Sequence, residues 1–244
     1  ELCGEKHSMT IYSIGGGAFS IEGVPYIVDP NVYPQSTMEE IVSYMEQNNL
    51  TFVQYVEQME PGIFSFLERI LETMLKTVDD GLKAEGMLPG PLQMEKIAGK
   101  LYERKNTTQD PVEQRILEIT SYAYSCSEEN ASGHTVVTAP TLGSCGVLPA
   151  IMKYYDVHHL ASRTQLMESL AVAGLFGNVI KANATLSGAE GGCQAEIGTA
   201  CTMAAAACSY LEGLTVSQIC YAAEIGMEHH LGLTCDTVGG YVMI

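Results

Sequence analysis

From residue 37 onward the apolar positions recur with the period of a helix, whereas the first thirty residues alternate with the period of a strand. The clearest stripe runs Ile63, Phe66, Leu67, Ile70, Leu71, Met74, Leu75, Val78 and Leu82, opposite Glu68, Arg69, Glu72 and Lys76. Its i, i+3, i+4, i+7 spacing predicts one long amphipathic helix. The same reading predicts helices over 37–48, 51–59, 93–104, 111–130, 146–156, 164–182, 196–212 and 216–231, with Met87-Leu88-Pro89-Gly90-Pro91 as a break. Around Thr199 to Cys208, Ala200 and Ala204 to Ala207 leave little side-chain bulk, which predicts tight central packing. Near the start, Met9 to Ile14 alternates as a strand, Gly15-Gly16-Gly17 interrupts it, and Val24-Pro25-Tyr26-Ile27-Val28 is β-branched and aromatic. Asp29 to Pro34 reads as a stiff linker, and Ser36 with Glu39 has the capping pattern that opens a helix. The expected fold class is mainly α: a multi-helix domain over 36–244 after a short β segment over 1–30, with the boundary between 29 and 36.

Charge narrows the range of partners. Twelve Lys and Arg against 29 Asp and Glu give a formal net charge of −17. Such a chain repels phosphate backbones and anionic bilayer surfaces, so nucleic acid and membrane are not expected partners. With 46% hydrophobic and 17% charged residues the chain is globular, and 24 Gly with no Trp point to a core of small side chains. The longest apolar stretch, Leu170 to Ile180, is broken by Gly174, Gly177 and Asn178 and falls short of the roughly 20 residues of a membrane span. It predicts a buried helix. The N-terminus has no apolar signal region and begins without Met, so the expectation is an excised piece whose targeting this end does not report. Asn-X-Ser/Thr triplets at Asn49, Asn106, Asn130 and Asn183 are short enough to arise by chance. Eight Cys, mostly in apolar helical segments, read as reduced cytoplasmic thiols or metal ligands rather than a disulfide framework.

Three segments carry residues that packing alone does not require. Thr138 to Gly146 places hydroxyls and glycines before a helix start, where free N–H groups can meet a carboxylate; an ordinary capped turn is the alternative. Asn183 to Glu196 is a polar, glycine-rich run between two apolar helices, and Glu228 to Asp236 ends a helix at Gly232 and leads into Cys235. Cys201, Cys208 and Cys220 lie within helical patterns and read as packing thiols, whereas Cys193 and Cys235 lie in glycine-containing turns that can present thiolates to a metal. His134 and His229, in these segments, are the candidate proton-transfer groups, with a structural role as the alternative for each.

At these segments the chain resembles the iron–sulfur-dependent L-serine dehydratases. The resemblance is carried by Tyr12 to Gly17, by Thr138-Ala139-Pro140-Thr141 with Cys145-Gly146, by Lys181 to Gln194, and by Ala222 to Asp236 with Val238-Gly239-Gly240. It implies that residues 1 to about 30 end the family's α+β substrate-contributing β domain and that 36–244 form its helical α, or catalytic, domain. It also implies a [4Fe–4S] cluster held by three Cys: Cys193, Cys235 and one in a Pro-Cys pair just beyond Ile244. Cys145 is a further candidate thiol, and Thr138, Thr141, Asn183, Ser187 and Glu190 are the implied substrate-binding residues. The chain departs from the family at Thr237, where Pro is usual.

The implied reaction is deamination of L-serine to pyruvate and ammonia, with an open iron as Lewis acid in place of pyridoxal phosphate. The resemblance further implies a cytoplasmic enzyme that is a homodimer or is paired with a separate or fused β domain. This chain alone, lacking the third Cys and most of that domain, is expected to be inactive. Two alternatives remain at this point: a related cluster-dependent L-cysteine desulfidase, and a non-enzymatic helical subunit that binds a small molecule.

Overall fold

The computed structural model describes residues 8–15, 18–25 and 31–243. It is mainly helical, as the periodicity predicts. Among the described residues the named strands are β1 (Ile11–Gly15) and β2 (Ala18–Ile21), an antiparallel pair with Ile11 opposite Ile21 and Tyr12 opposite Ser20. β2 is a strand that the reading of the sequence did not mark. After β2 the chain turns, with Val24 N–H donating to Ile21 O at 3.0 Å; residues 26–28 of the expected strand and 29–30 of the linker lie outside the described residues. The linker's Tyr33 is buried, its ring stacking on Tyr55 at 5.7 Å and its hydroxyl donating to Glu60.

Ten helices follow among the described residues: α1 (Met38–Asn48), α2 (Phe52–Met59), α3 (Ile63–Gly81), α4 (Ala98–Arg104), α5 (Pro111–Ala131), α6 (Val147–Val157), α7 (Arg163–Asn183), α8 (Gly188–Gly191), α9 (Cys193–Leu211) and α10 (Val216–Glu228). Capping boxes open α1, α2, α7 and α10, where Thr37, Thr51, Ser162 and Thr215 exchange hydrogen bonds with Glu40, Gln54, Gln165 and Gln218. The first box sits one residue later than the Ser36–Glu39 pattern suggests, because the Glu40 carboxylate reaches both Ser36 and Thr37. On α3 the stripe buries Leu67, Leu71, Met74 and Val78. Phe66 stays 49% exposed under the Arg69 guanidinium, since the stripe is wider than the face its neighbours cover.

Several boundaries differ for identifiable reasons. The helix expected from 93 starts only at Ala98. Residues 86–96 double back instead, with Leu88 N–H donating to Met94 O at 2.7 Å, and the buried Glu128 carboxylate of α5 accepts from Ile97 and Ala98 N–H at the new start. The helix expected from 196 begins at Cys193, because Gly192 takes a positive φ of 76° and breaks the chain there. α10 stops at Glu228, three residues short of the expected end, and α8 fills part of a segment expected to be loop. Asn183 belongs to the end of α7.

The alanine-rich α9 is the centre of the site-bearing half, packed between α7 and α10 with α6 across it, while α3 packs on α5, α6 and α7. Ala200, Ala206 and Ala207 are fully buried, as the small-residue run predicts. The main core joins Leu71, Met74, Met152, Leu166, Leu175 and Phe176 with Ala206 and Ala207, and a smaller cluster around Val78, Tyr122, Cys126 and Cys145 fills the space among α3, α5 and α6. Among the described residues no helix is long and apolar enough to cross a membrane. The start of α9 projects toward the turns that carry the chemistry.

Candidate functional site

A cleft of about 280 Å³ opens where the loop before α6, the α8–α9 junction and the chain after α10 converge. Its walls include Gly143, Cys193, Glu196, His230 and Cys235. Ligand pockets commonly span roughly 300–1,000 Å³, so the cleft suits a ligand of amino-acid size rather than a dinucleotide.

Cys193 is the first residue of α9, and Cys235 follows the turn at Gly232, whose φ is 86°. Gln194 ties the two segments together: its Oε1 accepts the Gly232 N–H at 2.7 Å across thirty-eight positions. The two thiols line the same cleft. The neighbouring Cys235, then partial burial and the negative charge of Glu196, push the Cys193 thiol above its ordinary range. Two thiols facing one cleft suit a thiophilic metal centre, because thiols bind such a metal as thiolates and give up their protons to it. Among the described residues no group of three or more His, Cys, Asp and Glu is placed to hold a metal ion, so the described donor set toward such a centre is this pair.

Glu196 stands one turn beyond Cys193 on the same side of α9. Its carboxylate lies against two glycines from different segments: a Cβ at Gly143 would fall 3.2 Å from Oε2, and one at Gly188 would overlap that oxygen. His230 completes this wall. Its Nδ1 is 2.8 Å from Gly226 O, and because a carbonyl only accepts, Nδ1 carries the proton and Nε2 is the acceptor nitrogen in the neutral ring.

The other expected site residues lie elsewhere or frame the cleft from behind. His134 pairs with Glu129 at 2.7 Å in a separate groove of about 850 Å³ beside Glu72, Lys76 and Asp80 of α3, so it is not part of the thiol cleft. His229 is exposed, bonded to Ile225 O at 2.8 Å, and it is its neighbour His230 that lines the cleft. Thr138 is exposed, while Thr141 is buried and shares a hydrogen bond with Ser144 Oγ at 3.0 Å, shaping the loop that brings Gly143 forward. Asn183 Nδ2 donates to Ser36 O at 2.6 Å and Val179 O at 2.8 Å, joining α7 to the start of α1. Ser187 is buried with its N–H on Thr185 Oγ1 at 3.0 Å, and the exposed Glu190 accepts from the same hydroxyl at 2.6 Å. These polar groups satisfy one another within the loops. Cys145 points into the core toward Cys126 O at 3.7 Å, and burial pushes its thiol up to about 11, which removes it from the cleft's donors. Cys208 contacts Tyr155, and Cys201 and Cys220 are raised by burial in helix packing.

Glu196, His230 and Gln194 escaped the reading of the sequence. Placing Cys193 in a turn concealed its i, i+3 relation to Glu196, and of two adjacent histidines nothing in the pattern singles out the second. Comparison with known proteins adds three similar relatives. L-serine dehydratase of Haemophilus influenzae is 38% identical over 98% of this chain, and L-serine dehydratase TdcG of Escherichia coli and L-serine dehydratase of Streptomyces coelicolor are each 40% identical over 98%. The chain spans 56% of the length of each of these relatives. The family model described as serine dehydratase alpha chain matches residues 35–244, and the chain therefore belongs to the serine dehydratase alpha chain family.

Proposed function

We propose that the protein to which this chain belongs deaminates L-serine to pyruvate and ammonia and that the cleft between α9 and the turn after α10 is its reaction site. The observation that carries this reading is the Cys193–Cys235 pair, brought to one cleft of amino-acid size by segments that Gln194 ties together, in a chain of this family. In the proposal the two thiolates hold a [4Fe–4S] cluster together with a third thiolate, which the family pattern implies after residue 244. When bound, the cluster supplies a Lewis-acidic iron that turns the β-hydroxyl into a workable leaving group.

The chain's own residues then have definite tasks. Gln194 fixes the distance between the two thiol-bearing segments by holding Gly232. His230, with Nδ1 committed to Gly226 O, offers Nε2 as the acceptor for the Cα proton. Loss of that proton and of the β-hydroxyl releases water and leaves aminoacrylate; tautomerisation and hydrolysis then take up one water and yield pyruvate and ammonia. The apolar side chains of Ile197, Leu233 and Val242 line the cleft beside these groups.

Anaerobic reconstitution with iron and sulfide tests this directly. The full-length protein is expected to develop a broad visible absorption and to form pyruvate from L-serine, Cys193→Ser is expected to lose both, and the 244-residue chain alone is expected to hold no stable cluster. Pyruvate formation by the Cys193→Ser protein, or sulfide release from L-cysteine in place of serine turnover, would overturn the proposal.

A further inference from the structure

We propose that Glu196 binds the α-ammonium group of the substrate, so that the cleft selects an amino acid over a hydroxy acid of the same skeleton. This rests on the deaminase reading of the same cleft and adds the group that recognises the amine. The first observation is position: Glu196 lies a turn from Cys193 on α9 and lines the cleft beside His230. A ligand held at the thiol pair is therefore within reach of its carboxylate.

The second observation is the glycine cradle. Gly143 comes from the loop before α6 and Gly188 from α8, and the absence of a side chain at each is what leaves room for this one carboxylate. Two separate segments have conceded their side chains to the same two oxygens. The third observation is the lack of a partner. Among the described residues neither a hydrogen bond nor an ion pair engages the half-buried Glu196 carboxylate, whereas the three buried glutamates are all occupied. Glu118 holds Lys105, Glu128 holds the N–H groups of α4, and Glu129 holds Lys96 and His134. An acid in the first turn of a helix is stabilised by the helix dipole. That accounts for a carboxylate at this position on any exposed helix, but not for glycines on two other segments or for a cleft in front of it.

The ligand chemistry follows. A carboxylate that accepts nothing from the described protein recognises a small cation with several N–H donors, which a primary ammonium provides and a second carboxylate does not. Of the charged groups of L-serine it therefore takes the amine and leaves the carboxylate and β-hydroxyl free to face the thiol pair.

The test uses the reconstituted full-length protein and two ligands, L-serine and 3-hydroxypropionate, which has the same skeleton without the amine. Binding is measured by calorimetry and, separately, as competition against serine turnover. The wild-type protein is expected to prefer L-serine. Glu196→Gln is expected to lose about tenfold or more in serine affinity while keeping its 3-hydroxypropionate affinity within about twofold, with the loss in KM rather than in kcat. Glu196→Asp, which keeps the charge on a shorter stem, is expected to restore part of the preference and carries the comparison if Glu196→Gln does not load iron. Equal weakening of both ligands, or full retention of the preference, overturns the assignment while serine turnover by the wild type leaves the deaminase reading intact. Amine-dependent binding by a wild-type protein that forms no pyruvate overturns the deaminase reading and sustains the assignment, whereas a wild type that binds neither ligand overturns both.

Discussion

Glu118 is buried on α5 and accepts from Lys105 Nζ at 2.5 Å, from the Tyr122 hydroxyl at 2.9 Å and, through its other oxygen, from His158 Nε2 at 2.9 Å. Burial pushes its carboxyl up, but the hydrogen bonds from Lys105, His158 and Tyr122 outweigh burial and hold it below the usual carboxylate range. A folded-state value below the unfolded one gives stability that is complete above the unfolded value, near pH 4.3, and is lost as pH falls through the folded value. The difference in urea midpoint between wild type and Glu118→Gln is therefore expected to be constant from pH 7 to about pH 5 and to shrink below about pH 4. A difference that stays constant down to pH 3 would show that the carboxylate's charge is not what joins α5, α6 and the chain after α4. The same scale shows what the sequence could disclose about the site. Cys193 and Cys235, forty-two positions apart, became a pair only through the resemblance, because hydrophobic period says nothing about which turns meet. Glu196 was concealed by a helix start placed three residues late. His229 and His230 differ by about 100° around the end of a helix, an angle that decides which one lines the cleft and that no composition records.

Helices were legible where an apolar stripe met a capping pattern, as in α2, α7 and α10, whose starts lie within one residue of the expected positions. They were misjudged where tertiary contacts decide. α4 starts late because a glutamate thirty residues away caps it, and β2, which the sequence pattern did not mark, arises by pairing with β1. The close approach of α3 and α5 was not legible, since it rests on a single glycine. Gly81 at the end of α3 lies so close to α5 that a Cβ there would overlap the backbone carbonyl and Cβ of Ser125, whereas Gly174 in α7 has nothing within 4 Å of such an atom. Both changes to Ala remove the conformational penalty of glycine, worth about 0.8–1.0 kcal/mol in a helix interior and less at its end. Only Gly81→Ala adds overpacking against a backbone that cannot swing aside, at about 1–3 kcal/mol. Gly81→Ala is therefore expected to lower the urea midpoint and Gly174→Ala to raise it by the equivalent of about 0.5–1 kcal/mol. A stabilised Gly81→Ala protein would mean that α3 and α5 have slack that the packing does not show.

At the scale of the whole molecule the dominant feature is the excess of acid, 29 carboxylates against 12 basic side chains. Two opposing effects of salt follow. Exposed ion pairs such as Lys100–Glu95 and Arg163–Glu72 contribute about 0–1 kcal/mol each, and salt weakens them. The carboxylates in excess repel one another across the surface, and salt relieves that repulsion as the Debye length shrinks from about 30 Å at 0.01 M to about 8 Å at 0.15 M. The pairs that join elements through buried groups, Lys105–Glu118 and Lys96–Glu129, are sheltered from screening and enter neither side of the comparison. A net charge of −17 leaves more like-charge than opposite-charge neighbours beyond contact distance, so relief of repulsion is the larger effect. The urea midpoint at pH 7 is accordingly expected to rise between 0.01 M and 0.15 M potassium chloride and to rise further at pH 8 than at pH 5.5, where more carboxylates carry a proton. A midpoint that falls with salt would make the exposed pairs the stronger partner and the acidic surface a stabilising network rather than a strain. Because L-serine is a zwitterion with no net charge, the same change in salt is expected to leave its affinity for the cleft nearly unaltered. Its recognition then depends on groups at contact distance rather than on the field of the surface.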